Sequence, residues 1–354
     1  MPVTIEDVAL RAGVSTATVS RALRGLPHVS EETRARVAGI AVDLGYVASR
    51  SASNLATGRT RTVGVVTPHI AKWFFSNAIE ALERQLSVCG YDVLLVVLPP
   101  QGGAGHGPGT GVGRPPFDPE QLRQRVDAVA VLTVPLTGSE LDALRRLQLP
   151  IVFIGGSVSG VMSVRIDDLA VGRLATEHLL ELGHRRIAHL GGDPMEPLNF
   201  NAPVDRRAGW SSALRAAGVE PDPQLDVPGS FTVEGGRTGT HRLLALADPP
   251  TAVFAGSDEM AFGALAALRE AGRSAPQDLS VVGVDDHEMA ASSGLTTVRQ
   301  PVAEQGRTAA ELLLRALAPL PDAMHVSEHV LLPVELVERT STAHAHVRSF
   351  VSQS

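Results

Sequence analysis

Residues 4–23 read TIEDVALRAGVSTATVSRAL, and the spacing of this stretch predicts two short helices broken by a glycine. Thr4 is placed to cap the first helix, with the Asp7 carboxylate three residues on reaching back to it. Ile5, Val8 and Ala9 form an apolar stripe at helical spacing. Gly13 permits the sharp turn, because it takes positive φ without steric cost. Ser15 then caps a second helix anchored by Val19 and Leu23. A third helix follows in SEETRARVAGIAVDLG, capped by Ser30 and ended by Gly45. Three short helices, with a glycine turn ahead of a Ser/Thr-rich second one, predict a helix-turn-helix whose second helix enters the DNA major groove. Helical bundles that bind no DNA share the spacing, so residue chemistry has to separate the two.

Ser15, Thr16, Thr18, Ser20 and Arg21 supply hydroxyls and one long cation, with no acid among them. Hydroxyls and arginine are the groups that contact phosphates and the guanine edge. Residues 1–61 hold eight arginines against five acids, a net of +3, whereas the whole chain carries −7. A basic head on an acidic body is the charge asymmetry of a DNA-binding head on a body that does something else.

With these motifs the chain resembles the LacI/GalR family of bacterial transcription regulators. The likeness runs through VTIEDVALRAGVSTATVSRAL, VSEETRARV, LGY and ATGRTRTVGVV, and reappears in LGHRRIAHLGG, FAGSDEMAFGAL, LSVVGVDD, LTTVRQP and LLPVELVERT. The resemblance implies that Thr16, Ala17 and Arg21 read bases and that Ile5 and His28 approach the DNA. It implies phosphate contacts for Thr4, Ser15, Thr18, Ser20 and Tyr46. It also makes residues 48–56, ASRSASNLA, a hinge helix in which Ser49, Ala52 and Leu55 meet DNA, with Leu55 as an apolar minor-groove wedge. Ser/Ala/Asn composition by itself reads as a flexible linker. The chain departs from the family at Ala48-Ser49, where Pro-Asn is usual, and at Ser53, where Arg is frequent.

From Thr62 onward β-branched apolar runs alternate with helical periods, the pattern of parallel sheets covered on both faces by helices. The expected class is α/β: an all-α helix-turn-helix head, a hinge helix, then two doubly wound lobes like those of a periplasmic binding protein. The expected domains are 1–47 for the head, 48–60 for the hinge and 61–340 for the body, with 341–354 a frayed tail. Within the body the lobes are drawn at 61–182 with 302–318, and at 185–299 with 320–340. YDVLLVVL is read as a buried strand. The Gly/Pro-rich stretch 99–119 lacks the Gly-Lys-Ser/Thr ending of a phosphate loop and is read as a surface loop.

Ligands of doubly wound sheets sit at the carboxyl ends of strands. Trp73, Phe74, Arg206, Phe231, Ser257 and Asp285 follow strands and are the candidate effector residues. Aromatic faces pack on sugar C–H surface, while arginine and carboxylates take paired hydroxyls. Trp73 and Phe75 are equally candidates for the core, and Asp258 and Asp286 for helix caps. The insertion 191–205, GGDPMEPLNFNAPVD, leaves the choice between a sugar and a nucleobase effector open.

HExxH, GxSxG and Walker patterns are absent, which argues against an enzyme. Cys89 is the only cysteine, which excludes an internal disulfide and a paired-cysteine metal site. No cofactor or metal is expected. No apolar run of ~20 residues and no leader pattern is found, so the cytoplasm is expected. The expected partners are palindromic operator DNA, a sugar-like effector and a second copy of the chain. A sugar-binding transport component is a rival that the head argues against.

Overall fold

The computed structural model describes residues 3–46, 59–98, 116–134, 136–192, 201–318 and 328–345. The chain forms two compact units, Met1–Arg61 and Thr62–Ser354. The hinge residues Ser49, Ala52 and Leu55 and most of the Gly/Pro-rich stretch lie outside the described residues.

In the first unit, helices α1 (Ile5–Ala12), α2 (Thr16–Leu23) and α3 (Glu31–Asp43) follow the expected caps. Thr4 N–H donates to the Asp7 carboxylate at 2.9 Å, and Asp7 N–H donates back to the Thr4 hydroxyl at 3.4 Å. Gly13 takes φ 66° and ψ 33° between α1 and α2, a conformation that penalises any side chain. Ser15 accepts from Thr18 N–H at 3.1 Å, and Ser30 from Thr33 N–H at 3.2 Å. Val8, Val19 and Val37 are fully buried where the helices meet, among Ala9, Ala12, Ala22 and Ala41. Small residues at that seam let three short helices share one core, which supplies the stability that isolated helices of this length lack.

The second unit holds two six-stranded sheets. In chain order the first lobe contributes β1 (Thr62–Thr67), α4 (Trp73–Val88), β2 (Asp92–Val97), β3 (Ala128–Leu132), α5 (Gly138–Arg146), β4 (Ile151–Ile154) and β5 (Met162–Arg165). The second contributes α6 (Asp168–Glu181), β6 (Ile187–Gly191), α7 (Asn201–Ala216), β7 (Asp226–Pro228), α8 (Val233–Leu244), β8 (Ala252–Ala255), α9 (Asp258–Glu270), β9 (Ser280–Asp285), α10 (Glu288–Ser293) and β10 (Thr296–Arg299). The chain then returns through α11 (Val302–Leu317) and β11 (His329–Leu331) and ends its described strands at β12 (Glu335–Val337). The sheets run β11-β5-β4-β3-β1-β2 and β12-β10-β9-β8-β6-β7, all parallel except β12 against β10. Each sheet reverses its strand order between its first and third strands, and both reversals open a crevice at the carboxyl ends.

Three boundaries and the burial of one strand differ from the sequence reading. Helix α6 belongs to the second lobe, because Val171, Ala175 and Leu179 pack on Trp210, Phe254 and Val282. Strand β11 pairs with β5 in the first sheet, so residues 329–331 leave the second lobe. Strand β2 is a sheet edge with Leu95 44% and Val97 41% exposed, which its apolar composition concealed. Residues 341–345 are no frayed tail: the Ser341 hydroxyl donates to Val281 O at 2.6 Å, and the His184 ring meets Ala343 O at 3.0 Å.

Three helix pairs approach so closely that a Cβ would strike backbone. At Gly172 it would lie 2.1 Å from Arg206 O, at Gly236 2.1 Å from Met260 O, and at Gly306 2.2 Å from Ala78 O. These glycines join α6 to α7, α8 to α9 and α11 to α4. Gly172→Ala is therefore expected to lower stability by about 1–3 kcal/mol through overpacking, with displacement of the Arg206 backbone. Urea unfolding checks this, and a loss below about 0.5 kcal/mol would show that α6 shifts freely.

Candidate functional site

On the head, Thr16, Ala17 and Arg21 are exposed on one helix, with Ala17 and Arg21 one turn apart. No acid lies in the first turn of α2. Thr4 and Ser15 are exposed while capping, and His28 is exposed in a turn at φ 68°. Thr18 and Ser20 are only half-exposed, and the Thr18 hydroxyl lies 2.9 Å from that of Ser15. Ile5 and Tyr46 are partly buried against the helical core, so each can offer only an edge outward. The Arg34 guanidinium donates to Leu26 O at 3.2 Å and so holds the turn that carries His28.

In the body, a cavity of about 790 Å³, counted to its open mouth, lies at the carboxyl ends of both sheets. Strand ends deliver its walls: His69 after β1, Thr133 after β3, Ile166 after β5, Ser257 after β8, Asp285 at the end of β9 and Gln300 after β10. Phe74, Phe75 and Phe231 supply aromatic surface. Phe74 stands edge-on to Phe75 with centroids 5.3 Å apart. Phe231 is held at φ 50° and Asp285 at φ 126°, strained backbone of the kind that collects at binding sites.

Arg206 is the charged centre of the cavity. It is 6% exposed, its Nε donates to the Asp168 carboxylate at 2.9 Å, and its Nη1 donates to Gly256 O at 2.6 Å. Burial raises the Asp168 pKa, against the pull of Arg206. Burial also pushes Asp285 up to about 6, opposed by Arg206, by the Gln300 amide and by the Asp258 N–H at the start of α9. Asp258 lies deeper, where burial and then the Asp285 charge raise its pKa well above the usual range. It accepts from the Thr297 hydroxyl at 2.7 Å and from His287 N–H at 2.8 Å. Of these two carboxyls Asp258 therefore holds its proton to higher pH, and Asp285 is the one that ionises into the cavity.

The structure brings Phe74, Arg206, Phe231, Ser257 and Asp285 together in the cavity lining. Ser257 also caps α9 by accepting from Met260 N–H at 3.3 Å, which leaves its O–H to donate. Trp73 does not line the cavity. Its ring lies 5.1 Å from that of His287, and its N–H is taken by Glu288, so it joins the two lobes beside the cavity. Phe75 is buried core as well as wall. Asp286 caps nothing, since Arg339 donates to it at 2.6 Å and Arg299 at 2.7 Å. Arg206 sits inside α7, which begins at Asn201, within the stretch read as an insertion. Asp168, Thr133, Gln300 and Gln305 also line the cavity and were missed. Gln300 stood inside the quoted LTTVRQP motif, whereas Gln305 carries no signal on an amphipathic helix.

Among the described residues, no helix is long and apolar enough to cross a membrane. Residues 4–49 match the family described as bacterial regulatory proteins, lacI family, and residues 176–342 match the periplasmic binding protein-like domain. The chain is 36% identical over 352 residues to the HTH-type transcriptional repressor CytR of Escherichia coli (strain K12), covering 96% of each chain. It is 36% identical over 328 residues to the HTH-type transcriptional regulator CelR of Thermobifida fusca, covering 88% of this chain and 91% of that protein. Among solved structures it is similar to the lac repressor dimer bound to operator and the anti-inducer ONPF, with TM-score 0.81, 29% identity and coverage of 97% and 100%. It is also similar to the CelR–cellobiose complex, with TM-score 0.65, 33% identity and coverage of 96% and 99%.

Proposed function

Because the chain belongs to the lacI family of bacterial regulatory proteins, a family of DNA-binding transcription regulators with an effector domain, we propose that it is a repressor whose hold on DNA is set by a sugar in the cavity. The head reads a palindromic operator as part of a homodimer, since one recognition helix contacts too few bases to specify a site. The protein works in the cytoplasm, where its operator is.

The observation that supports a sugar is the pairing of Arg206 and Asp285 with the aromatic faces of Phe74 and Phe231 in one cavity. A forked guanidinium and a carboxylate suit vicinal hydroxyls, and aromatic rings suit the C–H faces between them. The solved relatives support the same class, one holding cellobiose and another, from Enterococcus faecium, holding ribose.

Thermal shift and calorimetry with cellobiose, D-ribose, cytidine and adenosine test the reading. A ligand that binds only the folded chain at 100 times its Kd adds about 2.7 kcal/mol, which is easily seen. Binding of a nucleoside without any sugar would overturn the sugar assignment. Asp285→Ala is expected to abolish the sugar's influence on operator binding while leaving sugar-free operator affinity within about 1 kcal/mol. Operator titrations with and without the bound sugar check this. A variant that still responds like the wild type would remove Asp285 from the site.

A further inference from the structure

Resting on the reading of the cavity as the effector site, we propose that Asp285, Gln300 and Gln305 form a polarity relay. The relay fixes the first-lobe wall as a hydrogen-bond acceptor, so that the effector presents a donor, O–H or N–H, to Gln305 Oε1. The Gln300 amide nitrogen donates to the Asp285 carboxylate, and the Gln305 amide nitrogen donates to Gln300 Oε1 at 3.1 Å. Asp285 closes strand β9 of the second lobe. Gln300 lies in the segment that crosses between the lobes, and Gln305 lies on α11, whose Ala309 and Leu313 are buried in the first-lobe core.

An amide side chain has a donor end and an acceptor end, and nothing in its shape distinguishes them. The carboxylate does. When ionised it only accepts, so Gln300 has to offer its NH2 to Asp285. Its oxygen then faces Gln305, which has to answer with its own NH2. The Gln305 oxygen is left as the end of the relay without a partner among the described residues, on a side chain that belongs to the cavity lining. Reversing either amide would set two acceptors against each other in a buried site, where the unmet contact is most costly.

Two observations indicate that a ligand completes this wall. Gln305 is fully buried, and its Oε1 has no hydrogen-bond partner among the described residues. Thr133 Oγ1, in the same cavity lining, also lacks a partner among the described residues, on a β-branched residue held at φ 45°. A buried acceptor without a partner calls for a donor that the surrounding side chains do not supply. Strain and an unmet hydroxyl at one residue mark a position kept for binding. Gln305 is thus a specificity-determining residue, and Gln300 a positioning residue that acts through it.

Neutron diffraction of the perdeuterated, sugar-free, full-length protein tests the relay, because it separates amide oxygen from ND2. The wild type should show the Gln305 deuterons facing Gln300 and a bare oxygen facing the cavity. Deuterons facing the cavity would overturn the proposal. In Asp285→Asn the neighbour can donate, so the two amides should turn over or become mixed. An unchanged orientation in that variant would show that Asp285 does not set it. Cellobiose is the probe for the ligand side, with folding confirmed by circular dichroism. Gln305→Met should weaken its binding at least tenfold, and unchanged affinity in the folded variant would overturn the role of Gln305. If wild type binds no cellobiose, the sugar assignment is what loses support, and the neutron result alone decides the relay.

Discussion

Arg206→Ala is expected to lower stability by about 3–5 kcal/mol near pH 8, because it strands two buried carboxyls that share one cation. Arg206 is the group that opposes burial at both Asp168 and Asp285. Without it both carboxyls bind protons more tightly in the folded state. A folded-state pKa above the unfolded one means that the native chain holds more protons, so stability falls as pH rises through the interval between the two values. For Asp285 that interval already runs from the ordinary 3.8 to about 6 with Arg206 in place, and its upper end moves higher in the variant. The deficit should therefore shrink toward pH 5, where the orphaned carboxyls are protonated. Urea unfolding at pH 5 and pH 8 checks this, and an equal deficit at both would show that lost packing outweighs lost charge. Arg206→Lys should not restore sugar binding, because an ammonium cannot fork between Asp168 and a ligand.

The second large effect belongs to the head. Arg21→Ala should weaken operator binding by about 1–3 kcal/mol, roughly 5- to 150-fold. The side chain is exposed one turn beyond Ala17, on the face of α2 that carries no acid in its first turn. A guanidinium reading a guanine edge discriminates bases, so the loss should concentrate at one position of a base-scanned operator selected from a random library. A loss spread evenly over all positions, together with a salt slope smaller by about one, would assign Arg21 to a phosphate instead.

The parts of this molecule governed by local chemistry were the legible ones. Thr4, Ser15 and Ser30 cap as their hydroxyls dictate, and Gly13 turns where positive φ is needed. The two parallel sheets follow from β-branched runs set between helices. Five of the six cavity candidates meet because they follow strands whose carboxyl ends converge. What stayed hidden depended on packing at long range. Helix α6 carries an ordinary apolar stripe, and nothing in it says which sheet it covers; contact with Trp210 and Phe254 decides that. Leu95 and Val97 read as core because hydropathy does not reveal that a strand lies at an edge. Trp73 was misplaced because an aromatic after a strand can face either inward or a neighbouring lobe, and Glu288 claims its N–H. Gln305 became visible only through an oxygen left without a partner.

The glycine seams between helices have a mechanical consequence. At Gly172, Gly236 and Gly306 backbone lies on backbone, with no side chain of the glycine there to absorb displacement. Such close packing resists relative sliding, because protein interiors are dense and little compressible, so each pair is built like a girder. Relative displacement of the lobes is then left to the thin straps where the chain changes lobes, at 166–167, 300–301 and 332–334. Gln300 sits in one of these straps and donates to Asp285, so the cavity wall is tied directly to a lobe crossing.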